Sequence, residues 1–358
     1  MLASSSLSDS DSYSDAGSAR TVRVLGTGGT IAGTAAAGMP DNAYQAGQVA
    51  VEELLKPLLG GQIERVQALQ VAQIDSCNMA HSVWQRLAAE LQAGLNDPSV
   101  VGQVVTHGTD TLEETAVFLQ GVLRGSKPVV LTAAMRPATS AQADGPENLR
   151  QALHLAADPA ARGVWMAFGG QAWPAVQVRK VHPFALDAFC GGDGLAAATW
   201  VAHGTTLVPN PAPGAWAWRA AKEPGSGVAV EPIDQALALL GHHPVQMPAD
   251  LSRWPRVEIV HSHAGADGRV LLALLADASV HGVVISATGN GSIHDALHQA
   301  LLASVSQGRL ARTRVLVSSR CTAGWVVGDS KHGWPVAHRL SPAQARVALM
   351  LQLASTAP

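Results

Sequence analysis

Two stretches rich in glycine and threonine are the parts of this sequence best suited to chemistry. The first runs from Gly26 to Gly33 (GTGGTIAG), and the second runs from Thr106 to Thr115 (THGTDTLEET). Each follows an apolar segment that predicts a strand, so each would place a hydroxyl group at the carboxyl end of a strand, where open α/β sheets bind ligands. Two hydroxyl-bearing turns facing one crevice indicate nucleophilic chemistry.

Nucleotide binding is the main alternative for the first stretch, because glycines after a first strand can also admit a pyrophosphate. The dinucleotide pattern would need a glycine at Ile31, and a P-loop would need a lysine at Thr34. Both nucleotide interpretations are therefore disfavoured. A strand-to-helix turn with purely structural glycines stays open when this stretch is considered alone.

The second stretch lies between a predicted strand and an amphipathic helix. Thr111 and Glu114 match the T-x-x-E capping box, so we interpret Thr111 as an N-cap. Backbone amides at such a helix start are unpaired and suit an oxyanion or an anionic substrate group. The hydroxyl of Thr109 is well placed for use in this setting.

A threonine hydroxyl attacks a carbonyl only with the help of a base or a shared proton network. Asp110, next to Thr109, is one candidate, and a lysine whose pKa is lowered by burial is another. Lys180 lies in an apolar alternating stretch at residues 176–181, unlike Lys56, Lys127, Lys222 and Lys331. A solvated lysine at a strand end is the alternative interpretation of Lys180.

The elements that must position these residues alternate between apolar β-branched segments and helical patterns, which is typical of a mainly parallel sheet covered by helices. The predicted strands are Thr21–Leu25, Val100–Thr106, Pro128–Thr132, Gly163–Phe168, Val257–Val260, Gly282–Ile285 and Arg314–Val317. Apolar residues at helical spacing predict helices at 83–91 and 112–119. Ser341, Pro342 and Gln344 predict the capped start of a final helix.

Composition shifts divide the chain into four parts. Residues 1–20 are rich in serine and aspartate and predict a disordered tail. Residues 21–208 predict a larger N-terminal catalytic α/β domain, and residues 256–358 predict a smaller C-terminal α/β domain. The proline- and glycine-rich residues 209–255 predict a linker.

Charge and sequence content exclude several classes of protein. The net charge is −3 with no basic stripe, so we expect no nucleic-acid partner. Cys77, Cys190 and Cys321 form no C-x-x-C motif, and the pairs His261/His263 and His242/His243 have no third ligand at a suitable spacing, so we expect neither a disulfide framework nor a metal site. No apolar run could span a bilayer, and the N-terminus lacks a secretory signal, which predicts a cytoplasmic protein.

The two threonine motifs, together with AAMRPATSAQADGPENL from Ala133 to Leu149, resemble the bacterial-type L-asparaginase (asparaginase/glutaminase) family. The resemblance runs from about Thr21 to near the C-terminus. It implies the two-domain fold described above, assembled into homotetramers that are dimers of dimers with active sites between subunits. It also implies conversion of L-asparagine to L-aspartate and ammonia, with no metal or organic cofactor.

The resemblance assigns catalytic roles to five residues. Thr30 matches the nucleophile that forms an acyl-enzyme, and Tyr44 matches the tyrosine of a mobile lid that hydrogen-bonds this nucleophile. Thr109, Asp110 and Lys180 match a second cluster, in which Thr109 helps to position or activate the attacking water.

The resemblance also assigns substrate contacts. Ser76 matches the residue that holds the α-carboxylate, and Asp110 also receives the α-amino group. Cys77 and Ala134 occupy substrate-binding positions. Asn290 matches a contact that the neighbouring subunit supplies.

Two departures from the family pattern bear on substrate selectivity. Cys77 stands where the family usually carries Gln or Glu, which removes a strong hydrogen-bonding side chain. The segment after Arg320 contains no glutamate to cross the interface toward the substrate amine, and Asp329 is the available acid. We therefore expect a preference for asparagine and little glutaminase activity.

Other functions remain open at this level. A glutaminase-asparaginase or the amidase subunit of a transamidation complex would use the same scaffold. A non-catalytic amino-acid-binding protein could keep the pocket without turnover, and Cys77 is the feature that suggests it. Ammonia release by the isolated protein separates these possibilities.

Overall fold

The computed structural model describes residues 20–36, 43–58, 65–191, 198–200, 207–209 and 244–356. Its strands are β1 (Thr21–Gly28), β2 (Thr34–Ala35), β3 (Tyr44–Gln45), β4 (Arg65–Ile74), β5 (Val100–Thr106), β6 (Pro128–Thr132), β7 (Gly163–Phe168), β8 (Gln171–Pro174), β9 (Val178–Lys180), β10 (Phe189–Gly191), β11 (Ala198–Trp200), β12 (Leu207–Pro209), β13 (Arg256–His261), β14 (Val280–Ala287) and β15 (Arg314–Ser319). Its α-helices are α1 (Val51–Leu55), α2 (His81–Asn96), α3 (Leu112–Val122), α4 (Gly145–Ala157), α5 (Arg269–Ala276), α6 (Asp295–Ser306) and α7 (Pro342–Thr356).

An eight-stranded sheet forms the N-terminal part of the molecule, in the order β12-β11-β8-β7-β6-β5-β1-β4. The five strands from β4 to β7 run parallel, and β8, β11 and β12 extend the sheet with antiparallel pairs. The expected mainly parallel N-terminal sheet is confirmed. Strands β5, β6 and β7 have the bounds that the sequence predicted.

Both faces of this sheet are covered, which explains why the central strands β6 and β7 are buried along almost their whole length. On β5, Val104 packs with α1 and α4 on one face, whereas Val105 packs with α2 and α3 on the other. On the second face Trp84 of α2 stacks on Phe118 of α3, with ring centroids 4.8 Å apart. The layers therefore hold the carboxyl ends of the strands at one fixed edge.

A second sheet contains β13, β14 and β15, all parallel, in the C-terminal part of the chain. Helices α5 and α6 cover one face with buried leucines, and α7 packs against the other face. The same helix also packs against α3 of the N-terminal part. Residues of α7 such as Val347 and Leu351 therefore belong to a core shared by both parts.

The start of α7 has the predicted capping box. The Gln344 amide N–H donates to Ser341 Oγ at 3.2 Å, and the Ser341 N–H donates to Gln344 Oε1 at 2.9 Å. The sequence pattern alone was sufficient to predict this cap, because its contacts span only three residues.

Part of the predicted linker is integrated into the N-terminal core. Val245 and Trp254 are buried there, and the Val245 N–H donates to the Gly121 carbonyl at 2.8 Å. Residues 210–243 of that linker, and residues 1–19 of the predicted tail, lie outside the described residues. The domain boundaries remain predictions.

Candidate active site

The strand order changes direction at β1, because the chain passes first to β4 on one side and later to β5 on the other. Open α/β sheets bind ligands at such a switch point, outside the carboxyl ends of the strands. Thr30 follows β1, Ser76 follows β4, and Thr109 follows β5. The topology therefore gathers three of the predicted site residues at one edge of the sheet.

The turns after β1 and β5 touch through their main chains. Gly29 has φ 79°, and a Cβ atom built on it would lie 2.3 Å from the Gly108 Cα. A Cβ atom on Gly108 would in turn lie 2.5 Å from Ser76 Oγ. Side chains at either glycine would separate the turns, so both glycines are needed for this close approach.

Thr30 and Tyr44 form the first hydroxyl pair of the site. Their Oγ1 and OH atoms are 2.6 Å apart, and Thr30 is 6% exposed. Thr30 begins a short 3₁₀ turn after Gly29, and Tyr44 lies on β3, which pairs with β2. The predicted contact between these two side chains is present in the geometry.

Thr109, Asp110 and Lys180 form a second cluster. Lys180 Nζ donates to Thr109 Oγ1 at 2.9 Å and to Asp110 Oδ1 at 2.6 Å. Thr109 is 5% exposed, whereas the Asp110 side chain is about half exposed. The cluster thus has a buried hydroxyl, a shielded ammonium and a carboxylate that solvent or a ligand can reach.

The strand that carries Lys180 is shorter than the alternating stretch predicted. Residues Ala175–Gln177 form a 3₁₀ turn, and β9 then pairs with β10 as a two-stranded antiparallel ribbon. The alternative of a solvated lysine does not hold, because the Lys180 side chain is only 16% exposed.

Ser76 connects β4 to the second cluster. Its Oγ accepts the Asp110 N–H at 3.1 Å, and its carbonyl accepts the Thr111 hydroxyl at 2.8 Å. The predicted capping box between Thr111 and Glu114 is wrong, since Thr111 makes no capping hydrogen bond. The neighbouring turn competes for the hydroxyl, and Glu114 instead pairs with Arg346 of α7 at 2.7 Å.

His107 fixes the turn that precedes Thr109. Trp84 Nε1, which can only donate, is 2.8 Å from Thr115 Oγ1; Thr115 Oγ1 lies 2.9 Å from His107 Nε2; and His107 Nδ1 lies 2.7 Å from the Gly108 carbonyl. A complete chain requires Thr115 to donate to Nε2 and the protonated Nδ1 to donate to Gly108. Burial lowers the pKa of His107 to about 4, so the ring is neutral. These contacts make His107 a structural residue of the turn.

Of the remaining predicted substrate contacts, Cys77 and Ala134 follow strands of the N-terminal sheet, whereas Asn290 lies in the C-terminal part. Cys77 is exposed beside Ser76, and partial desolvation and the Asp75 carboxylate raise the pKa of its thiol. Ala134 follows β6 and is fully buried. Asn290 lies in the C-terminal part, where its side chain donates to the Val327 carbonyl at 3.0 Å and accepts the Val327 N–H at 2.7 Å. Within one chain these hydrogen bonds hold Asn290 to its own domain.

Sequence reasoning missed one residue that touches this cluster. Glu113 Oε2 accepts the Lys180 main-chain N–H at 2.8 Å, and its Oε1 accepts the Ser341 hydroxyl at 2.7 Å. Its position beside apolar Leu112 was the available signal, but an acidic residue in a first helical turn is also ordinary. The contact partners are 67 and 228 residues away, beyond the reach of local patterns.

Metal ligands do not cluster in the part of the chain that the structure describes. No group of three or more His, Cys, Asp or Glu side chains there could hold an ion. His242 and His243 lie outside the described residues. None of the described helices is long and apolar enough to cross a membrane.

Comparison with known proteins gives a consistent result over both parts of the chain. Residues 21–211 match the family model for the asparaginase N-terminal domain, and residues 256–358 match that for the glutaminase/asparaginase C-terminal domain. A probable periplasmic L-asparaginase of Haemophilus influenzae is 32% identical over 96% of this chain and 92% of its own length. L-asparaginase 2 of Escherichia coli is 33% identical over 94% of this chain and 89% of its own length.

Comparison with solved structures agrees with the sequence comparison. A crystal structure of a probable cytoplasmic L-asparaginase from Campylobacter jejuni has a TM-score of 0.76 and 31% sequence identity, and the match covers 94% of this chain and 96% of that one. The similarity to these proteins thus extends over nearly the whole chain. It covers the larger parallel-sheet part, the smaller C-terminal part and the threonine turns at the switch point. On these grounds the chain belongs to the asparaginase family.

Proposed function

We propose that this protein hydrolyses L-asparagine to L-aspartate and ammonia through an acyl-enzyme on Thr30. The observation that carries the proposal is the pair of buried threonine hydroxyls at one switch point, each with its own proton-bearing partner. Thr30 lies 2.6 Å from Tyr44, and Thr109 lies 2.9 Å from Lys180. Relatives named L-asparaginase over nearly the whole chain support the choice of substrate.

In the first step the Thr30 Oγ attacks the side-chain amide carbon of the substrate. A C–O bond forms, the C–N bond breaks, and the hydroxyl proton passes by way of Tyr44 to the departing nitrogen, which leaves as ammonia. The short contact between Thr30 and Tyr44 supports this route, because proton transfer requires heavy atoms within hydrogen-bond reach.

In the second step water attacks the ester carbonyl. Thr109 orients the water, and Lys180 and Asp110 hold Thr109 and support removal of the water proton. The C–O bond to Thr30 breaks, and the hydroxyl is restored. Each step uses side chains alone, so we propose no cofactor.

The substrate backbone would bind beside this cluster. Ser76 would hold the α-carboxylate, and the accessible carboxylate of Asp110 would receive the α-amino group. Cys77 and Ala134 would complete the pocket near β4 and β6. Asn290 would come from a neighbouring copy in a homotetramer, since its amide oxygen and nitrogen each retain one unused hydrogen-bonding position beyond the contacts with Val327.

We also propose a cytoplasmic location, which the description of the C. jejuni structure supports. The H. influenzae relative carries a periplasmic name, so cell fractionation provides the test. Sedimentation of the purified protein tests the tetramer.

The test of the reaction is ammonia release from L-asparagine by the purified protein, with Thr30→Ala beside Thr34→Ala. Thr30→Ala removes the proposed nucleophile and should lower kcat by at least about 10³-fold. Thr34→Ala changes a nearby threonine on β2 and should retain turnover. Absence of ammonia from the unaltered protein would favour a binding protein or a partner-dependent subunit instead.

A glutaminase-asparaginase is the second candidate, because the C-terminal family model carries both activities in its description. We expect kcat/KM for L-asparagine to exceed that for L-glutamine by at least about 10-fold, a discrimination within reach of single pocket contacts. Cys77→Gln should raise substrate affinity if the thiol has replaced a useful contact. Equal efficiency on both amides contradicts the asparagine preference.

A further inference from the structure

Lys180 lies on a strand that cannot hold itself in place. Strand β9 has three residues and pairs with the three residues of β10 in an isolated ribbon. Two-stranded ribbons of this size are marginal without other packing. The position of the Lys180 ammonium therefore depends on contacts from elsewhere in the molecule.

Glu113 provides one such contact, to the Lys180 main chain. Its Oε2 accepts the Lys180 main-chain N–H at 2.8 Å, while the Lys180 side chain donates to Thr109 and Asp110. The segment from Thr109 to Glu113 thus binds Lys180 at both its main chain and its ammonium. A lysine fixed at both ends has little freedom to move its Nζ away from Thr109.

The second oxygen of Glu113 connects this contact to α7. Glu113 Oε1 accepts the Ser341 hydroxyl at 2.7 Å, and Ser341 caps α7 with Gln344. Gln344 Nε2 donates to the Val178 carbonyl at 2.8 Å, at the other end of β9. Both ends of the strand are therefore fastened to a capped helix.

The middle residue of β9 is fastened on its other side. Arg179 is buried, and its guanidinium donates to the carbonyls of Gly324 at 3.1 Å and Arg339 at 2.8 Å.

Burial of a carboxylate such as that of Glu113 is costly unless hydrogen bonds compensate. Burial raises the pKa of Glu113, although both its oxygens accept hydrogen bonds. A packing role alone would be filled at lower cost by an apolar side chain.

We infer that Glu113 is a positioning residue that holds Lys180 against Thr109, with Ser341 as its support. This inference rests on the proposed function, in which Lys180 acts through Thr109. Loss of the carboxylate would displace the Lys180 Nζ without removing it. A displacement of about 1 Å can lower a rate about 10²-fold, so the loss would fall on kcat more than on KM.

The experiment compares Glu113→Ala, Glu113→Gln and Glu114→Ala. Glu113→Ala should lower kcat by about 30- to 100-fold with KM within about 3-fold, and should shift the pH dependence of kcat. Glu113→Gln should restore kcat to within about 5-fold, because its amide oxygen can accept from Lys180 and its nitrogen can donate to Ser341. Glu114→Ala is the matched control, because it breaks the neighbouring ion pair to Arg346 in the same helix contact.

Two outcomes would overturn the inference. One is that Glu113→Ala and Glu114→Ala lower kcat by the same factor and lower Tm by the same amount. That result would indicate that Glu113 acts only through the packing of the helix. The other is a Glu113→Gln protein as inactive as Glu113→Ala, which indicates that the charge rather than the position matters. If Glu113→Ala fails to fold, Ser341→Ala decides: the inference expects kcat about 3- to 10-fold lower, and an unchanged kcat overturns it.

Hydrogen exchange separates this inference from the proposed function. The Lys180 amide should exchange faster in Glu113→Ala than in the unaltered protein and should be unchanged in Glu114→Ala. This measurement needs no turnover. Failure of the unaltered protein to release ammonia would overturn the reaction, whereas unchanged exchange would overturn the Glu113 contact itself.

Discussion

The two threonine centres are built in different ways. Thr30 meets Tyr44, which is 14 residues further along the chain, through one hydrogen bond. Thr109 and its neighbour Asp110 are held through partners 34 to 71 residues away, on the turn after β4 and on β9. One centre is therefore a local loop contact, whereas the other forms only when several elements pack correctly. Changes in the core should damage the Thr109 centre and leave the Thr30 contact in place.

The largest effect should come from removing the Lys180 ammonium. Lys180→Met keeps the length of the side chain but leaves Thr109 and Asp110 without their shared donor. We expect kcat for asparagine to fall by at least about 10³-fold, because Thr109 then has no proton partner. Lys56→Met removes an exposed lysine paired with Glu53 and serves as the control. Turnover within 10-fold of the unaltered protein would show that the Thr109 centre is dispensable.

Tyr44→Phe should have the next largest effect, confined to the first centre. The change removes one hydroxyl and leaves the ring, so we expect kcat to fall by about 10²-fold, the usual contribution of a positioned proton donor. Because Tyr44 lies on the two-residue strand β3, which pairs with the two-residue strand β2, Tm should change by less than for Lys180→Met. Stopped-flow measurement of the first ammonia released tests whether the loss of rate lies in the first step. A Tyr44→Phe protein that is slow only in the second step would contradict the assignment of Tyr44 to the first centre.

The smallest effect concerns stability at the second centre. The pKa of His107 is lowered from an ordinary value of 6.5 to about 4 by burial, so below pH 6.5 the unfolded chain binds a proton that the folded protein rejects. Stability is thus intact above pH 6.5 and falls as the pH is lowered toward 4. At pH 5 the cost is about 2 kcal/mol.

His107→Asn removes this titration while the amide nitrogen can still donate to Gly108. Denaturant unfolding at pH 7 and pH 5 should therefore show a smaller pH dependence in His107→Asn than in the unaltered protein. His261→Asn, which changes an exposed histidine, is the matched control. The same pH dependence in all three proteins would indicate that the pKa of His107 is the same in the folded and the unfolded states.

Sequence patterns located the local features of this protein well. Strands β5, β6 and β7 and the capping box of Ser341 were predictable, because apolar runs and caps are set by residues a few positions apart. Thr30, Ser76, Thr109 and Lys180 were identified by motif and resemblance, and the catalytic roles assigned to them stay predictions. The hydroxyl of Thr111 was assigned wrongly, because Ser76, 35 residues away, competes for it.

Glu113 shows why the rest could not be predicted. Its two partners belong to β9 and to the start of α7, and the one local signal, its position beside Leu112, does not predict either contact. The burial of Val245 and Trp254 in the N-terminal core was missed for the same reason, since a proline-rich composition describes the local chain and not its packing.

The attachment of β9 to α7 has a consequence for protein synthesis. Glu113 and Ser341 are separated by 228 residues, so a nascent chain that has emerged only as far as β15 contains Lys180 and both sheets but lacks the contacts that hold β9 to α7. Contacts this distant in sequence form late, because the intervening chain must first be ordered. Ribosome-bound chains should therefore turn over asparagine more slowly until α7 has emerged, and translation itself would limit how much of the amino acid that the ribosome is using is consumed by unfinished molecules.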